Sequence, residues 1–186
     1  MTEPGVLRFR HHSWVGMGGE QLWVVAACFN EGSIICRFIE EVLQLDVVDR
    51  LVLIDDGSGD ATVSVIRRWQ EVHPSAPLVL LELTRNFGKE AAMLAGLDYA
   101  HGRCSAVVLI DSDLQHPPER IPGMVEAWRQ GAEVVTAVRD DHDAESLMKV
   151  ATASWFYRVF NRLVDSIQLR EGAGDFRLLS APVVEA

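Results

Sequence analysis

One pattern constrains the fold of this chain more than any other. Short apolar runs, each the length of a single strand, alternate with stretches whose apolar residues recur every three or four positions. Residues 22–27 read as a buried strand. Residues 33–45 follow with Ile34, Ile35, Phe38, Ile39, Val42 and Leu43 as one helical stripe. The alternation continues with a strand at 51–54 and a helix for which Asp60 is a cap and Val65, Trp69 and Val72 form one face. Pro74 and Pro77 end that helix, and a third strand spans 78–83. An Ala-rich helix is expected over 89–100, a fourth strand over 106–110, a helix over 119–130 stopped by Gly131, and a fifth strand over 133–138. Uniformly apolar strands separated by helices predict an α/β fold, with a mainly parallel sheet covered by helices on both faces. In such sheets ligands bind beyond the carboxyl ends of the strands.

The last third departs from this rhythm. Residues 145–167 keep helical periodicity but contain Trp155, Phe156, Tyr157 and Phe160, with Lys149, Arg158 and Arg162 among them. The segment reads either as a helix lying at a bilayer interface or as one packed on the sheet. Residues 172–177 form a turn leading to Leu178 and Leu179, and Pro182 opens another helix just before the sequence stops at Ala186. That abrupt stop reads as a C-terminal truncation. Residues 1–21 read as a loose tail without the apolar segment of a signal peptide, and 22–186 as one domain.

Composition narrows the function. With 17 Lys plus Arg against 27 Asp plus Glu the net charge is −10, which argues against general nucleic-acid binding. An anionic ligand would need local cations or a metal. No apolar run approaches the roughly 18 residues that span a bilayer. The three cysteines, Cys28, Cys36 and Cys104, are too few and too irregularly spaced for a disulfide framework or a zinc site. His73, His101 and His142 are isolated and read as solvent-exposed, and neither H-E-x-x-H nor G-x-S-x-G is present.

The chemistry-bearing residues gather at the predicted strand ends. Asp111 and Asp113 follow the fourth strand, with Gln115, His116, Pro117 and Pro118 next. Two carboxylates at i and i+2 point the same way on a strand, an arrangement suited to Mg²⁺ or Mn²⁺ shared with phosphate oxygens; a loop of solvated acids is the alternative. Asp55-Asp56-Gly57-Ser58 is either a ligand-binding strand end or a self-capped tight turn. Asn30 and Glu31 end the first strand, either as a helix cap or with Glu31 binding a ribose hydroxyl. Arg85-Asn86-Phe87-Gly88-Lys89-Glu90 puts two cations at a loop-to-helix junction, which suits phosphate, though it lacks P-loop spacing.

In this order and content, Cys28-Phe29-Asn30-Glu31, Asp55-Asp56-Gly57-Ser58, residues 85–90, residues 111–119 and residues 174–180 together resemble the family 2 glycosyltransferases of the GT-A fold, a Rossmann-like architecture. The resemblance covers residues 22–186. It is strongest to the polyprenyl-phosphate branch, which includes bactoprenol glucosyltransferases and dolichol-phosphate mannose synthases. Ala27 stands where that family usually has proline, and relatives in this branch often continue into transmembrane helices.

The resemblance implies a metal-dependent, inverting hexosyltransferase. It would move a sugar from a nucleotide sugar, UDP-glucose first among the donors, to a polyprenyl phosphate at the cytoplasmic face of the plasma membrane, for cell-envelope glycans. It implies donor-binding roles for Asn30, Glu31, Asp56, Lys89, Asp111 and Gln115. Asp111 and Asp113 would hold Mg²⁺ or Mn²⁺; Arg139, Lys149 and Arg177 would hold the acceptor phosphate; Asp175 would act beside Asp113 in catalysis by orienting the acceptor. Homo-oligomers fit the same reading. Two other functions remain open at this point: a non-catalytic module that binds nucleotide or lipid phosphate, and a transferase with a soluble hydroxyl acceptor.

Overall fold

The computed structural model of the chain describes residues 19–137 and 176–185. β1 (Leu22–Cys28) is the centre of a six-stranded sheet. It is apolar on both faces because both are covered: Trp23, Val24, Val25 and Ala26 are all buried. β2 (Arg50–Asp55) pairs parallel to it on one side and β3 (Leu78–Glu82) pairs parallel to β2. β4 (Ala106–Leu109) pairs parallel to β1 on the other side. The sheet continues through β6 (Arg177–Ser180) to β5 (Val134–Thr136) at the edge. β6 is antiparallel to both its neighbours, and among the described residues it alone runs against the rest.

Alternating side chains divide the sheet into two cores. On one face Val24, Leu51, Leu53 and Val108 pack against Ile35, Phe38, Ile39 and Val42 of α1 (Ile35–Leu43), Ile66 and Trp69 of α2 (Thr62–Val72), and Met124 and Val125 of α4 (Ile121–Arg129). On the other, Val25, Val52, Ile54 and Val107 meet Ala92, Met93 and Leu97 of α3 (Lys89–Ala100) and Val183 of the short α5 (Ala181–Val184). Pro182 does open this last helix. A 3₁₀ turn at Pro118–Arg120 leads into α4, and Gly131, at φ +105°, follows its end.

The strand–helix alternation and the mainly parallel sheet follow the sequence pattern closely. Four particulars differ. β1 runs one residue past the expected 22–27, to Cys28, and Phe29 after it is exposed. The buried line of α2 is Thr62, Ile66 and Trp69, and Val72 is exposed because it lies past the edge of the face that meets the sheet. His73 is half-buried, its ring stacked on Trp69 at 4.2 Å between centroids. Residues Arg177–Ser180, for which the sequence pattern gives no strand, form one that inserts between β4 and β5. Of the expected tail, Glu20 pairs with Arg129 and the Gln21 backbone N–H donates to Ser105 Oγ. The expected helix at 145–167, His142 and the turn residues 172–175 lie outside the described residues.

α3 reaches the sheet through Gly96. A β-carbon there would stand 2.4 Å from Val25 Cγ1 and 2.6 Å from Ile54 Cδ1. Gly96→Ala should therefore destabilise the fold, because an overpacking cost of about 1–3 kcal/mol exceeds the gain of about 1 kcal/mol in helix propensity. Urea unfolding measures this; an unchanged or higher midpoint would show that α3 does not sit this close.

Candidate active site

Parallel pairing delivers the carboxyl ends of β1, β2, β3 and β4 to one edge. The register puts Cys28 beside Asp55 and Asp55 beside Glu82, so the loops that follow start side by side. Both non-glycine residues with positive φ among the described residues lie here: Asn30 at +58° and Leu114 at +60°. Asparagine tolerates that backbone region; leucine does so only at a cost, and such strain concentrates at functional sites.

The loop after β1 is stitched to the loop after β2. Asn30 N–H donates to Ser58 Oγ and Gly59 N–H to Asn30 Oδ1, each at 2.9 Å. Glu31 N–H donates to Thr62 Oγ1 at 2.9 Å and Gly32 N–H to Asp60 Oδ2 at 3.2 Å. Asp60 also accepts the Thr62 N–H at 2.9 Å and the Thr62 hydroxyl, so it caps the start of α2 as expected. These bonds hold its pKa below the usual aspartate value, the Thr62 hydroxyl contributing most. Glu31 caps with its backbone: its carbonyl accepts the N–H groups of Ile34 and Ile35.

The two acids at the end of β2 turn to different loops. Asp55 is buried; its Oδ2 accepts the Ser58 N–H at 3.0 Å, while Oδ1 has no hydrogen-bond partner. Next to it Cys28 is pushed up to about 12 by burial and then by Asp55, so its thiol is inert. Asp56, also buried, accepts the N–H groups of Phe87 and Gly88 at 2.8 and 2.9 Å.

At the end of β4, Ser112 is buried and donates its hydroxyl to the Ala27 carbonyl at 2.9 Å, anchoring the acidic loop to β1. The chain turns at Ser112 and Asp113, so strand alternation no longer governs where the two acids point. Asp111 is gripped by Lys89, whose Nζ lies 2.6 Å from Oδ1 and 2.7 Å from Oδ2. Asp113 Oδ1 accepts the Gln115 N–H at 2.9 Å, and Asp113 makes no ion pair among the described residues. Gln115 itself is exposed. His116 rests against the buried Phe176 ring, 5.7 Å between centroids, which ties this loop to the start of β6. Because β6 is antiparallel, its first residue, Arg177, lies beside Leu109, two residues before Asp111; it is buried.

The edge is electrostatically crowded. The Glu31 pKa is raised by loss of water and then by Asp113, Asp60 and Asp111. Among the described residues no three His, Cys, Asp or Glu side chains gather as a metal cage. Net acidic crowding with Asp113 outside any ion pair fits a hard divalent cation that takes one or two carboxylates and completes its shell with water and phosphate oxygens. Asp113 is the better placed ligand, since Lys89 already holds Asp111.

The structure thus brings Asn30, Glu31, Asp56, Lys89, Asp111, Asp113, Gln115 and Arg177 to one edge of the sheet. Asp175, Arg139 and Lys149 lie outside the described residues. Thr62 and Ser112 stand out by no motif in the sequence, and Ser58 enters there only as part of a self-capped turn. The only local signal for them is a hydroxyl residue within two positions of an acid in a strand-end loop.

Residues 23–186 match the family described as Glycosyl transferase family 2, and the chain belongs to it. It is 42% identical over 167 residues to the prophage bactoprenol glucosyl transferase homolog of Escherichia coli K12, and 43% identical over 167 residues to the bactoprenol glucosyl transferase of Shigella phage SfV. Each alignment covers 87% of this chain, but 53% and 52% of those relatives, so the chain spans about half their length. The fold resembles a Pyrobaculum calidifontis mannosyltransferase solved with GDP-Man and Mn²⁺, at TM-score 0.60 and 22% identity over 86% of this chain and 44% of that one. It also resembles Mycobacterium tuberculosis glucosyl-3-phosphoglycerate synthase solved with UDP, at TM-score 0.60 and 21% identity over 88% and 58%. The architecture is that of the GT-A glycosyltransferases.

Glu31 generates a prediction with a definite sign. Its pKa in the fold is raised, so its charged form is disfavoured there, and the fold gains relative stability as pH falls. Glu31→Gln should raise the melting temperature slightly at neutral pH, and the gain should vanish as pH approaches about 4, where free carboxylates protonate. Thermal scans across pH test this; a variant no more stable than wild type at pH 7 would contradict the crowding.

Proposed function

We propose that this chain is the sugar-transferring domain of a polyprenyl-phosphate hexosyltransferase, with UDP-glucose as its first donor. The observation that carries the reading is the crowding of Glu31, Asp60, Asp111 and Asp113 at the carboxyl edge of a family 2 transferase sheet, charge that calls for a cation, through which an anionic diphosphate could then bind. The bactoprenol glucosyl transferases among its relatives support a lipid-phosphate acceptor and a site of action at the membrane surface. No helix among the described residues is long and apolar enough to cross a membrane.

In this reading Asn30 and Glu31 meet the nucleoside, and Gln115 lies beside the diphosphate. Asp113, flanked by Asp111, would hold Mg²⁺ or Mn²⁺, which when bound would supply positive charge for a leaving diphosphate. Lys89 keeps Asp111 in place and adds a fixed positive charge where the diphosphate leaves. Arg177, with Arg139 and Lys149, receives the acceptor phosphate. That phosphate is already ionised near neutral pH, so a strong base is unnecessary, and Asp175 serves to orient it. Direct displacement at the anomeric carbon inverts its configuration.

A donor panel with undecaprenyl phosphate and Mn²⁺ or Mg²⁺ tests the proposal. Radiolabelled glucose should enter the organic phase only when lipid phosphate is present. Transfer to a soluble hydroxyl instead would replace the acceptor, and nucleotide binding without transfer would make the chain a binding module. Asp113→Ala should keep the fold yet lower transfer by about a hundredfold or more. Transfer close to the wild-type rate would remove Asp113 from the site.

A further inference from the structure

The acidic loop after β4 is anchored at alternate residues. Ser112 is buried and bonded to the Ala27 carbonyl, and Leu114 packs against the core that α1, α2 and α4 make with the sheet. His116 rests on the Phe176 ring, and Pro118 is buried. Between these anchors stand Asp111, Asp113 and Gln115, the residues of this loop assigned to the donor site. The chain turns here, so the alternation comes from contacts and not from strand geometry.

Leu114 is the strained anchor. Its φ is +60°, and among the described residues Asn30 is the only other non-glycine residue at positive φ. A β-carbon crowds that backbone region, so leucine stays there only because its surroundings hold it. Glycine and asparagine adopt the region more readily, but neither brings an apolar side chain to the core. The turn has a local consequence. Across it the Gln115 N–H donates to Asp113 Oδ1 at 2.9 Å, an aspartate bonded to the backbone two residues on. One turn therefore sets both the seat of the Leu114 side chain and the orientation of the Asp113 carboxylate.

We propose that Leu114 is a positioning residue for the cation of the donor site: its side chain, seated on the core, pins a left-handed turn that presents the Asp113 carboxylate already oriented. This rests on the donor-site reading above, in which Leu114 itself touches no ligand. A side chain that leaves the core frees the turn, and cation binding then has to order the loop as well.

The test compares wild type with Leu114→Met, which keeps an apolar anchor, and Leu114→Asn, which accepts the backbone but leaves the core. Amide exchange at Gln115 is read in the chain without metal, and UDP binding by calorimetry over a series of Mn²⁺ concentrations. Leu114→Asn should speed exchange at Gln115 and raise the Mn²⁺ concentration for half-maximal UDP binding, each by about tenfold or more, as for other residues that orient a metal ligand from behind. UDP affinity should return close to the wild-type value once Mn²⁺ saturates, because the nucleoside contacts are untouched. Leu114→Met should stay close to wild type in both readings. A residue that only stabilised the fold would lower the melting temperature of Leu114→Asn and leave Gln115 exchange and the Mn²⁺ dependence unchanged. That result, or a Leu114→Met variant as impaired as Leu114→Asn, would overturn the proposal. Should Leu114→Asn fail to fold, Leu114→Ala takes its place with the same expectations. A wild-type chain that binds no UDP in Mn²⁺ would instead overturn the donor-site reading, and the proposal with it.

Discussion

Everything at the functional edge depends on β1 pairing in parallel with β2 on one side and β4 on the other. Parallel pairing points all three carboxyl ends the same way. The Asn30-Glu31, Asp55-Asp56 and Asp111-Asp113 segments therefore leave the sheet together, although they are spread over more than eighty residues of sequence. Burial on both faces fixes that register, since a slip of one residue would turn Val24 and Val25 into the wrong cores. The same pairing lets Ser112 reach the Ala27 carbonyl and Asp56 N–H reach the Cys28 carbonyl.

An edge built this way gathers acids, and the structure manages them unequally. Asp60 is held by the Thr62 hydroxyl and by backbone N–H groups, Asp56 by two backbone amides and Asp111 by an ammonium. Asp113 makes no ion pair among the described residues, and the Glu31 pKa is raised by burial and then by Asp113. That contrast separates acids that shape loops from acids available to a cation. A protein with net charge −10 attracts a nucleoside diphosphate only where such a cation, or Lys89 and Arg177, reverses the local field.

Much of this is legible in the sequence, because parallel strands buried on both faces leave continuous apolar runs. Val24 to Ala26, Leu51 to Ile54 and Ala106 to Leu109 are continuous apolar runs, and the acids follow them directly. What was not legible follows from contacts made at long range. Nothing in Arg177-Leu178-Leu179-Ser180 announces a strand that enters antiparallel between β4 and β5, since four residues carry little periodicity. The N–H partners of Asp56 lie about thirty residues away in sequence, where no local pattern announces them. Strand alternation does not align Asp111 with Asp113, because the chain turns at Ser112. Two cations at the 85–90 junction suit phosphate, and the grip of Lys89 on Asp111 appears only once α3 is laid across the sheet.

The central claim is that the carboxyl edge holds a nucleoside diphosphate through a divalent cation. Calorimetric titration of UDP into the wild-type chain, in Mn²⁺ and again in excess EDTA, tests it most directly. The account predicts one site per chain in Mn²⁺ and loss of binding in EDTA. Equal affinity in both conditions, or no binding in either, would contradict it.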